Sequence, residues 1–236
     1  MLRIEHFTKH YGEKVAVDDL SLHITPGRIC GFIGHNGAGK TTTLKACCGI
    51  LQFDRGTILV DGTSIAEDPI ACKRKIAYVP DNPDLYEFMT GLQYIRFICD
   101  IYGVSEADRK ERINYYGNLL GMTDDLTLKI GECSHGMKQK VALIAALVHK
   151  PQLLLMDEPF VGLDPVASHQ LKKVMRSHCD QGGSIFFSTH VLEVAEKLCD
   201  HVAIIKGGKL VAQGPMEEIR GDASLEQVFL ELEDKL

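Results

Sequence analysis

A glycine-rich stretch that ends in lysine and threonine carries the first recognisable chemistry of the sequence. Residues 34–41 read Gly-His-Asn-Gly-Ala-Gly-Lys-Thr and fit the pattern G-x-x-x-x-G-K-[ST] of a phosphate-binding P-loop. Glycines let the backbone approach phosphates and turn several N–H groups inward, and a helix N-terminus adds a field that favours anions. We expect Lys40 to reach the β- and γ-phosphates of a nucleoside triphosphate, and the Thr41 hydroxyl to bind Mg²⁺.

The flanks of this stretch decide between a nucleotide site and a chance match to an ordinary strand-turn-helix. The apolar run Ile29–Ile33 before it is typical of a buried strand, and the residues after Lys40 favour a helix. A P-loop needs this strand-loop-helix order, so the sequence predicts a nucleotide site. The residues predicted to contact the nucleotide here are Gly34, His35, Asn36, Gly37, Ala38, Gly39, Lys40, Thr41 and Thr42.

Two acidic residues follow a second apolar run, Leu153–Met156. In a parallel α/β sheet the carboxyl end of such a strand borders the ligand crevice. Asp157 is therefore predicted to hold Mg²⁺, and Glu158 to polarise the attacking water. The alternative is that the two acids simply begin a surface loop. A strand this apolar, in a chain that also carries a P-loop, favours the Mg²⁺ site.

Length and composition limit the class of protein. The 236 residues, 45% of them hydrophobic, can bury a core as one large domain or as a core with a subdomain. A net charge of −6 provides no overall basic field, so nucleic acid is not expected as a partner. The longest apolar run, Val141–Val148, is far shorter than the ~20 residues that span a bilayer, and the N-terminus has no signal-peptide pattern. The eight cysteines contain no C-x-x-C pair, which favours buried thiols in a reducing cytosol over a zinc site.

Apolar periodicity predicts the elements that position these motifs. Alternation over residues 2–8 and 15–24 predicts strands of an antiparallel sheet beside the P-loop strand, and Asp61-Gly62-Thr63 predicts a hairpin. Between Pro83 and Gly131, apolar residues recur at helical spacing and predict a mostly helical insertion. The other predicted elements are strands at 75–79, 153–156, 184–188, 202–205 and 210–212, helices at 137–148 and 191–198, and a last helix that begins at the capping box of Ser224 and Gln227.

Four further motifs carry a family resemblance. They are Tyr11, Cys133-Ser134-His135-Gly136-Met137, Gly162-Leu163-Asp164-Pro165 and Ser188-Thr189-His190. Together with the P-loop and the acidic pair, these motifs make the chain resemble the ATP-binding subunits of ABC transporters over essentially its whole length. The motifs also occur in the order that is typical of that family. The resemblance implies an α/β fold of the P-loop NTPase (RecA-like) type, with a parallel-sheet core, an N-terminal antiparallel β subdomain and a helical subdomain. The core would span about 1–82 and 137–236, and the helical subdomain about 83–136.

The resemblance implies a role for each matching position. Tyr11 would stack on adenine, His190 would contact the γ-phosphate and assist catalysis beside the acidic pair, and Asp164 would lie at a dimer interface. Ser134 and Gly136 match the L-S-G-G-Q signature, in which a hydroxyl and a helix N-terminus face an anion.

The match to the family pattern is incomplete at four positions. Cys133, His135 and Met137 stand where the signature has Leu, the first Gly and Gln. Asp81 stands where the family usually has a glutamine near Mg²⁺ and the attacking water. A carboxylate can also ligate Mg²⁺, so Asp81 is a candidate ligand, although it adds negative charge beside an anionic triphosphate.

Each of these motifs also has a purely structural interpretation. Tyr11 taken alone favours a packed or surface tyrosine, Ser134 an ordinary helix N-cap, and Asp164-Pro165 a turn. A lone histidine after a strand, such as His190, is more often a polar end-cap. The functional interpretation depends on the motifs occurring together.

The resemblance also implies ligands and partners. In the family two chains meet head to tail, so ATP with Mg²⁺ is held between one P-loop and the Ser134 region of a second ATP-binding subunit, which is either another copy of this chain or a related chain. An integral membrane permease would be the other partner, docked on the helical insertion, which places the chain at the cytoplasmic face of the cell membrane, peripheral through the permease. The stretches Tyr-Val-Pro-Asp at 78–81 and Ser-His-Gly-Met-Lys-Gln at 134–139 favour ATPases of bacterial export permeases.

Three other functions are alternatives to a transport ATPase. An ABC-type ATPase that acts as an assembly scaffold or mechanical switch would share every motif. A small-molecule kinase would need the P-loop but would leave Ser134, Glu158 and His190 without a purpose. A GTPase is disfavoured because the guanine-reading motif N-K-x-D does not occur.

Overall fold

Two β-sheets and the helices that cover them form the described part of the chain, residues 1–234 of the computed structural model. The strands are β1 (Leu2–Tyr11), β2 (Lys14–Ile24), β3 (Ile29–Ile33), β4 (Arg55–Val60), β5 (Thr63–Ser64), β6 (Ile76–Val79), β7 (Leu153–Asp157), β8 (Ser184–Thr189), β9 (His201–Lys206) and β10 (Lys209–Pro215). The helices are α1 (Lys40–Cys47), α2 (Pro69–Lys73), α3 (Gly91–Ile101), α4 (Glu106–Leu119), α5 (His135–Leu147), α6 (Pro165–Asp180), α7 (Leu192–Leu198), α8 (Met216–Arg220) and α9 (Leu225–Asp234).

The larger sheet brings three predicted strands to one functional edge. Its order is β10-β9-β3-β8-β7-β6, parallel except for β10, which pairs antiparallel with β9. Every residue of β3, β7 and β8 is buried, as expected for central strands covered on both faces. Because these three strands are parallel neighbours, their carboxyl ends meet, with Ile33 paired to Thr189 and Asp157 paired to Ser188.

The smaller sheet confirms the predicted N-terminal antiparallel arrangement. Its order is β2-β1-β4-β5, and every pairing in it is antiparallel. The predicted hairpin at Asp61-Gly62 joins β4 to β5. Together the two sheets and their helices confirm the predicted α/β fold class.

Side chains alternate between two cores on opposite faces of the larger sheet, as the period of two in a strand requires. Along β7, Leu154 and Met156 pack in the core that contains α5 and α6, whereas Leu153 and Leu155 pack in the core that contains α1 and the smaller sheet. Asp157 follows Leu153 and Leu155 in this alternation and so lies on the same face of the sheet as they do. Its carboxylate therefore points to the side on which α1 lies.

The insertion after β6 is mostly helical, as predicted. It contains α3, α4 and two short 3-10 turns, Asp125–Thr127 and Ile130–Glu132. A capping box starts α3, since the Gln93 N–H donates to Thr90 Oγ1 at 3.1 Å and the Thr90 N–H donates to Gln93 Oε1 at 2.8 Å. The limits of a helical subdomain at 83–136 stay a prediction.

The predicted capping box at the last helix is confirmed. The Gln227 N–H donates to Ser224 Oγ at 3.2 Å, and the Ser224 N–H donates to Gln227 Oε1 at 3.1 Å. This pair sets the start of α9 at Leu225. Across residues 1–234, helices long and apolar enough to cross a bilayer are absent.

Candidate nucleotide site

The P-loop joins the carboxyl end of β3 to the first turn of α1. Within it, Gly39 has φ 113° and precedes the helix directly. A Cβ on Gly39 would lie 2.7 Å from the Ala16 carbonyl oxygen, so both backbone conformation and space demand glycine there. The loop is thus held against β2 while the N–H groups that begin α1 are left free of intrahelical partners.

Lys40 occupies the centre of the site and is 6% exposed. Its Nζ donates to the Gly34 carbonyl oxygen at 2.6 Å and to the His35 carbonyl oxygen at 3.1 Å, and it lies 3.8 Å from Glu158 Oε1. Burial lowers the pKa of Lys40, and the nearby carboxylates of Glu158 and Asp157 oppose that shift. Because the Lys40 ammonium is held by two carbonyl oxygens beside a helix N-terminus, it needs only a short movement to bind an incoming phosphate.

Asp157, at the end of β7, is 3% exposed and lies beside the first turn of α1. Thr41 Oγ1 donates to Asp157 Oδ2 at 2.5 Å, and Ser188 Oγ donates to Asp157 Oδ1. Among the described residues its hydrogen-bond partners are thus two hydroxyls rather than a basic side chain. This cluster of hard oxygen atoms is the donor set that Mg²⁺ prefers.

Glu158 directly follows the strand and adopts a left-handed backbone conformation with φ 48°. Its N–H donates to Ser188 Oγ at 3.0 Å, which helps to hold this uncommon geometry. Oε2 lies 3.0 Å from His190 Nδ1 and accepts from the His190 N–H at 3.3 Å. Oε1 is buried without a hydrogen-bond partner within residues 1–234, so one carboxylate oxygen is available to a water or ligand.

Ser134, Gly136 and Asp164 lie together in a second cluster, at the N-terminus of α5. Ser134 Oγ accepts from the Met137 N–H at 3.3 Å, which makes it the N-cap of α5. A Cβ on Gly136 would lie 2.3 Å from the Gly162 carbonyl oxygen, so the loop before α6 rests directly on the start of α5.

Asp164 joins the two elements of this second cluster. Its Oδ1 accepts from the Ala167 N–H at 2.8 Å and caps α6, while its Oδ2 lies 2.7 Å from Lys140 Nζ. The Lys140 ammonium, together with the Ala167 N–H, lowers the pKa of Asp164. The predicted interface residue is therefore ionised and fixed in orientation.

The remaining predicted residues are Tyr11, Thr42 and Asp81. Tyr11 ends β1 and is 51% exposed, with Lys9 Nζ 5.3 Å from its ring centroid. Thr42 follows Thr41 in the first turn of α1 and is partly buried. Asp81 is exposed just beyond β6. The structure thus brings the P-loop, both acidic residues and His190 together, and His190, Tyr11 and Asp81 are all exposed.

Sequence reasoning missed two hydroxyl groups beside Asp157. Ser188 contacts both the Asp157 carboxylate and the Glu158 N–H, whereas the sequence indicates only its place in the Ser-Thr-His motif. Tyr78 shares the α1 face of β6, and its buried hydroxyl has no hydrogen-bond partner in residues 1–234. Burial raises the pKa of Tyr78, and Asp157 adds to the shift. Ser188 comes beside Asp157 because the two residues pair across β7 and β8, a register that the sequence does not specify.

Comparison with known proteins places this site in a family. The sequence model of the family described as ABC transporter matches residues 17–161. The ABC-type transporter ATP-binding protein EcsA of Bacillus subtilis is 34% identical over 237 residues, which cover 98% of this chain and 96% of EcsA. The Nod factor export ATP-binding protein I of Cupriavidus metallidurans is 32% identical over 219 residues, which cover 93% of this chain and 72% of that protein.

Solved structures agree with the sequence relatives. A structure described as the ATP binding subunit of an ABC transporter is 34% identical, superposes with a TM-score of 0.94 and is matched over 99% of both chains. The P-loop, the buried Asp157 and the adjacent Glu158 all fall within the matched range. The chain therefore belongs to the ABC transporter family and is an ATP-binding subunit that hydrolyses ATP to ADP and phosphate.

Proposed function

We propose that this chain drives a separate export permease, working as a head-to-tail dimer that hydrolyses Mg²⁺-bound ATP at the P-loop. The observation that carries the hydrolytic part of this proposal is the Glu158 carboxylate, which lies beside Lys40 and has one buried oxygen free of hydrogen bonds in the described residues. A carboxylate in that position suits a general base that takes a proton from water as the γ-phosphate is attacked.

The residues around Asp157 fit Mg²⁺. Thr41 Oγ1 and Asp157 Oδ2 are already neighbours, and Ser188 holds the second Asp157 oxygen. Mg²⁺ bound by Thr41 and Asp157 would polarise the phosphate oxygens and offset their charge. Asp81, which is exposed beyond β6, is proposed as a further oxygen ligand on the open side.

The remaining catalytic work falls to side chains that already touch each other. Lys40 would exchange its two carbonyl partners for the β- and γ-phosphate oxygens. His190, whose Nδ1 lies 3.0 Å from Glu158 Oε2, would orient that carboxylate and contact the γ-phosphate. Tyr11, exposed at the end of β1, would stack on the adenine ring.

A head-to-tail dimer would complete the site. The exposed Ser134 caps the 13-residue helix α5, and the partly buried Gly136 lies in its first turn, where free N–H groups favour an anion. Gly136 packs against the loop at Gly162, and Lys140, one turn further along α5, pairs with Asp164. This arrangement supports delivery of Ser134 to the ATP of a second subunit, with Asp164 at the same interface.

An exposed aromatic surface on the helical insertion is the proposed permease contact. Tyr86, Phe88 and Phe97 are 50%, 77% and 37% exposed. The Tyr86 ring centroid lies 5.8 Å from that of Phe88 and 6.0 Å from that of Phe97, so the rings form one contiguous patch. Exposed patches of this kind mark interaction sites, and an apolar cytoplasmic segment of a permease would fit this one.

One ion pair connects this surface to the second cluster. Glu87 lies between Tyr86 and Phe88 in the sequence, and its Oε1 is 2.8 Å from Nζ of Lys138, in the first turn of α5. A shift of the aromatic surface would therefore reach the helix that Ser134 caps. This contact supports a subunit in which ATP-driven closure moves a docked permease at the cytoplasmic face of the membrane.

Purification of the subunit from native membranes in detergent tests the proposal. The wild-type chain should retain a multi-span membrane protein. Phe88→Glu should lose it while keeping its basal ATP hydrolysis. Tyr115→Glu is the matched control, because Tyr115 is 59% exposed on α4, away from the aromatic surface, and should retain the partner. Recovery of an active ATPase without any membrane protein would instead favour an assembly scaffold or mechanical switch.

A further inference from the structure

The last described helix is firmly attached to the nucleotide-binding core. Leu225, the first residue of α9, is fully buried, and its N–H donates to Glu196 Oε2 at 3.0 Å. Glu196 lies in α7, and it also pairs with Arg220 of α8 at 3.3 Å. The position of α9 is thus set at its N-terminus by two neighbouring helices.

One turn further along, α9 reaches the phosphate-binding loop. Phe229 is 7% exposed and packs in the same core as Leu225. Its ring meets the His35 ring edge to face, with 5.1 Å between ring centroids and an angle of 68° between the planes. This geometry is a favourable one for two aromatic rings.

His35 is the loop residue on which the local geometry of the P-loop depends. Its carbonyl oxygen accepts from the Ala38 N–H at 3.1 Å, closing the turn, and from Lys40 Nζ at 3.1 Å. A side chain that fixes His35 therefore fixes the turn and the carbonyl that holds the lysine. Phe229 contacts the side chain of His35.

We propose that Phe229 is a positioning residue for the P-loop, so that α9 preorganises the cradle for the triphosphate through His35. A loop that already has its bound conformation loses less freedom when the ligand binds, and the gain appears as affinity. The edge-to-face contact is of the size that changes an equilibrium about two- to ten-fold. Phe229 does not itself contact the nucleotide.

The test is the affinity of a fluorescent ATP analogue with Mg²⁺, measured by polarisation on the full chain. Phe229→Ala should weaken binding about two- to ten-fold. Leu230→Ala, a neighbour on the same helix that is 56% exposed, should leave the affinity unchanged. Steady-state hydrolysis should show a raised KM for ATP with kcat retained, because the loop, and not the reacting groups, has been loosened.

Two further variants separate positioning from a loss of folding. Phe229→Leu keeps the core filled but removes the ring, so it should retain the melting temperature and still weaken binding. His35→Ala should weaken binding by a similar factor, and the double variant His35→Ala with Phe229→Ala should be no weaker than either single variant.

The proposal is overturned if Phe229→Leu binds as tightly as the wild type, or if the effects of the two alanine changes multiply. Lys40→Ala, measured in parallel, should lose nucleotide binding in either case. That control keeps a failure of the α9 contact distinct from a failure of the P-loop site itself.

Discussion

Replacing Ser188 by alanine tests how the two acidic residues are held. Ser188 is fully buried, and its hydroxyl donates to Asp157 Oδ1 while accepting from the Glu158 N–H at 3.0 Å. Ser188→Ala leaves a buried carboxylate oxygen without its donor. Hydrogen bonds to charged groups contribute about 1.5–3 kcal/mol, and we expect a loss of unfolding free energy of this size.

The same strand offers a matched control. Ser184 is also fully buried on β8, but its hydroxyl donates to a neutral acceptor, the Thr25 carbonyl oxygen, at 3.2 Å. A neutral hydrogen bond contributes about 0.5–1.5 kcal/mol, so Ser184→Ala should cost less. Urea unfolding of both variants at neutral pH measures the two losses on one scale.

The two variants should differ more in catalysis than in stability. Partners that orient metal-binding groups typically change metal affinity or activity about 10–100-fold when they are removed. Ser188→Ala should therefore reduce Mg²⁺-dependent ATP hydrolysis by about that factor, whereas Ser184→Ala should leave it near the wild-type value. Equal stability losses together with equal activities in the two variants would refute the assigned role of Ser188.

Three further predictions address other parts of the molecule. Glu158→Gln should retain ATP binding but slow hydrolysis about 10²–10⁴-fold, measured as phosphate release, because it removes the proposed general base. Gly136→Ala should destabilise the fold by about 1–3 kcal/mol, since its Cβ would lie 2.3 Å from the Gly162 carbonyl oxygen. Burial lowers the pKa of His149 to about 4, below its ordinary value near 6.5. On acidification His149 therefore gains a proton in the unfolded chain before it does so in the folded chain. Its contribution to the free energy of unfolding is full above about pH 6.5 and should be lower by about 2 kcal/mol at pH 5. His149→Phe, which can keep the stack on Tyr102 at 3.7 Å, should remove that part of the acid sensitivity in urea unfolding.

Each of these predictions has a clear contrary result. Near-normal turnover in Glu158→Gln would assign the base elsewhere. Gly117→Ala is the control for Gly136→Ala, because the nearest atom to a Cβ at Gly117 is 3.6 Å away, and an equal cost at both sites would argue against the steric reason. For His149, identical changes in unfolding free energy between pH 7 and pH 5 in wild type and variant would contradict the assignment.

The sequence predicts those parts of the site that follow from local spacing. The P-loop pattern, the apolar run before Asp157 and the position of His190 after β8 are all local, and parallel strands bring their ends together. Helix starts were predictable for the same reason. Ser224 and Gln227 satisfy each other within four residues, so the capping box is visible in the sequence.

The parts that escaped prediction depend on register and on packing between distant segments. Ser188 reaches Asp157 because β7 and β8 pair with those two residues opposite each other, and periodicity does not specify which residues pair. The contact of Phe229 with His35 joins the last described helix to the P-loop, and nothing in either segment indicates it. The sequence predicted a helix after Ser224, but it did not single out Phe229 or its contact with the P-loop.

The most direct test of the central claim is a crystal structure of the Glu158→Gln chain with ATP and Mg²⁺. The account predicts the triphosphate on the N–H groups of residues 37–41, with Lys40 on the β- and γ-phosphates, the metal at Thr41 and Asp157, and Ser134 of a second copy closing over the γ-phosphate. An empty P-loop, or ATP bound at another place on the chain, would contradict it.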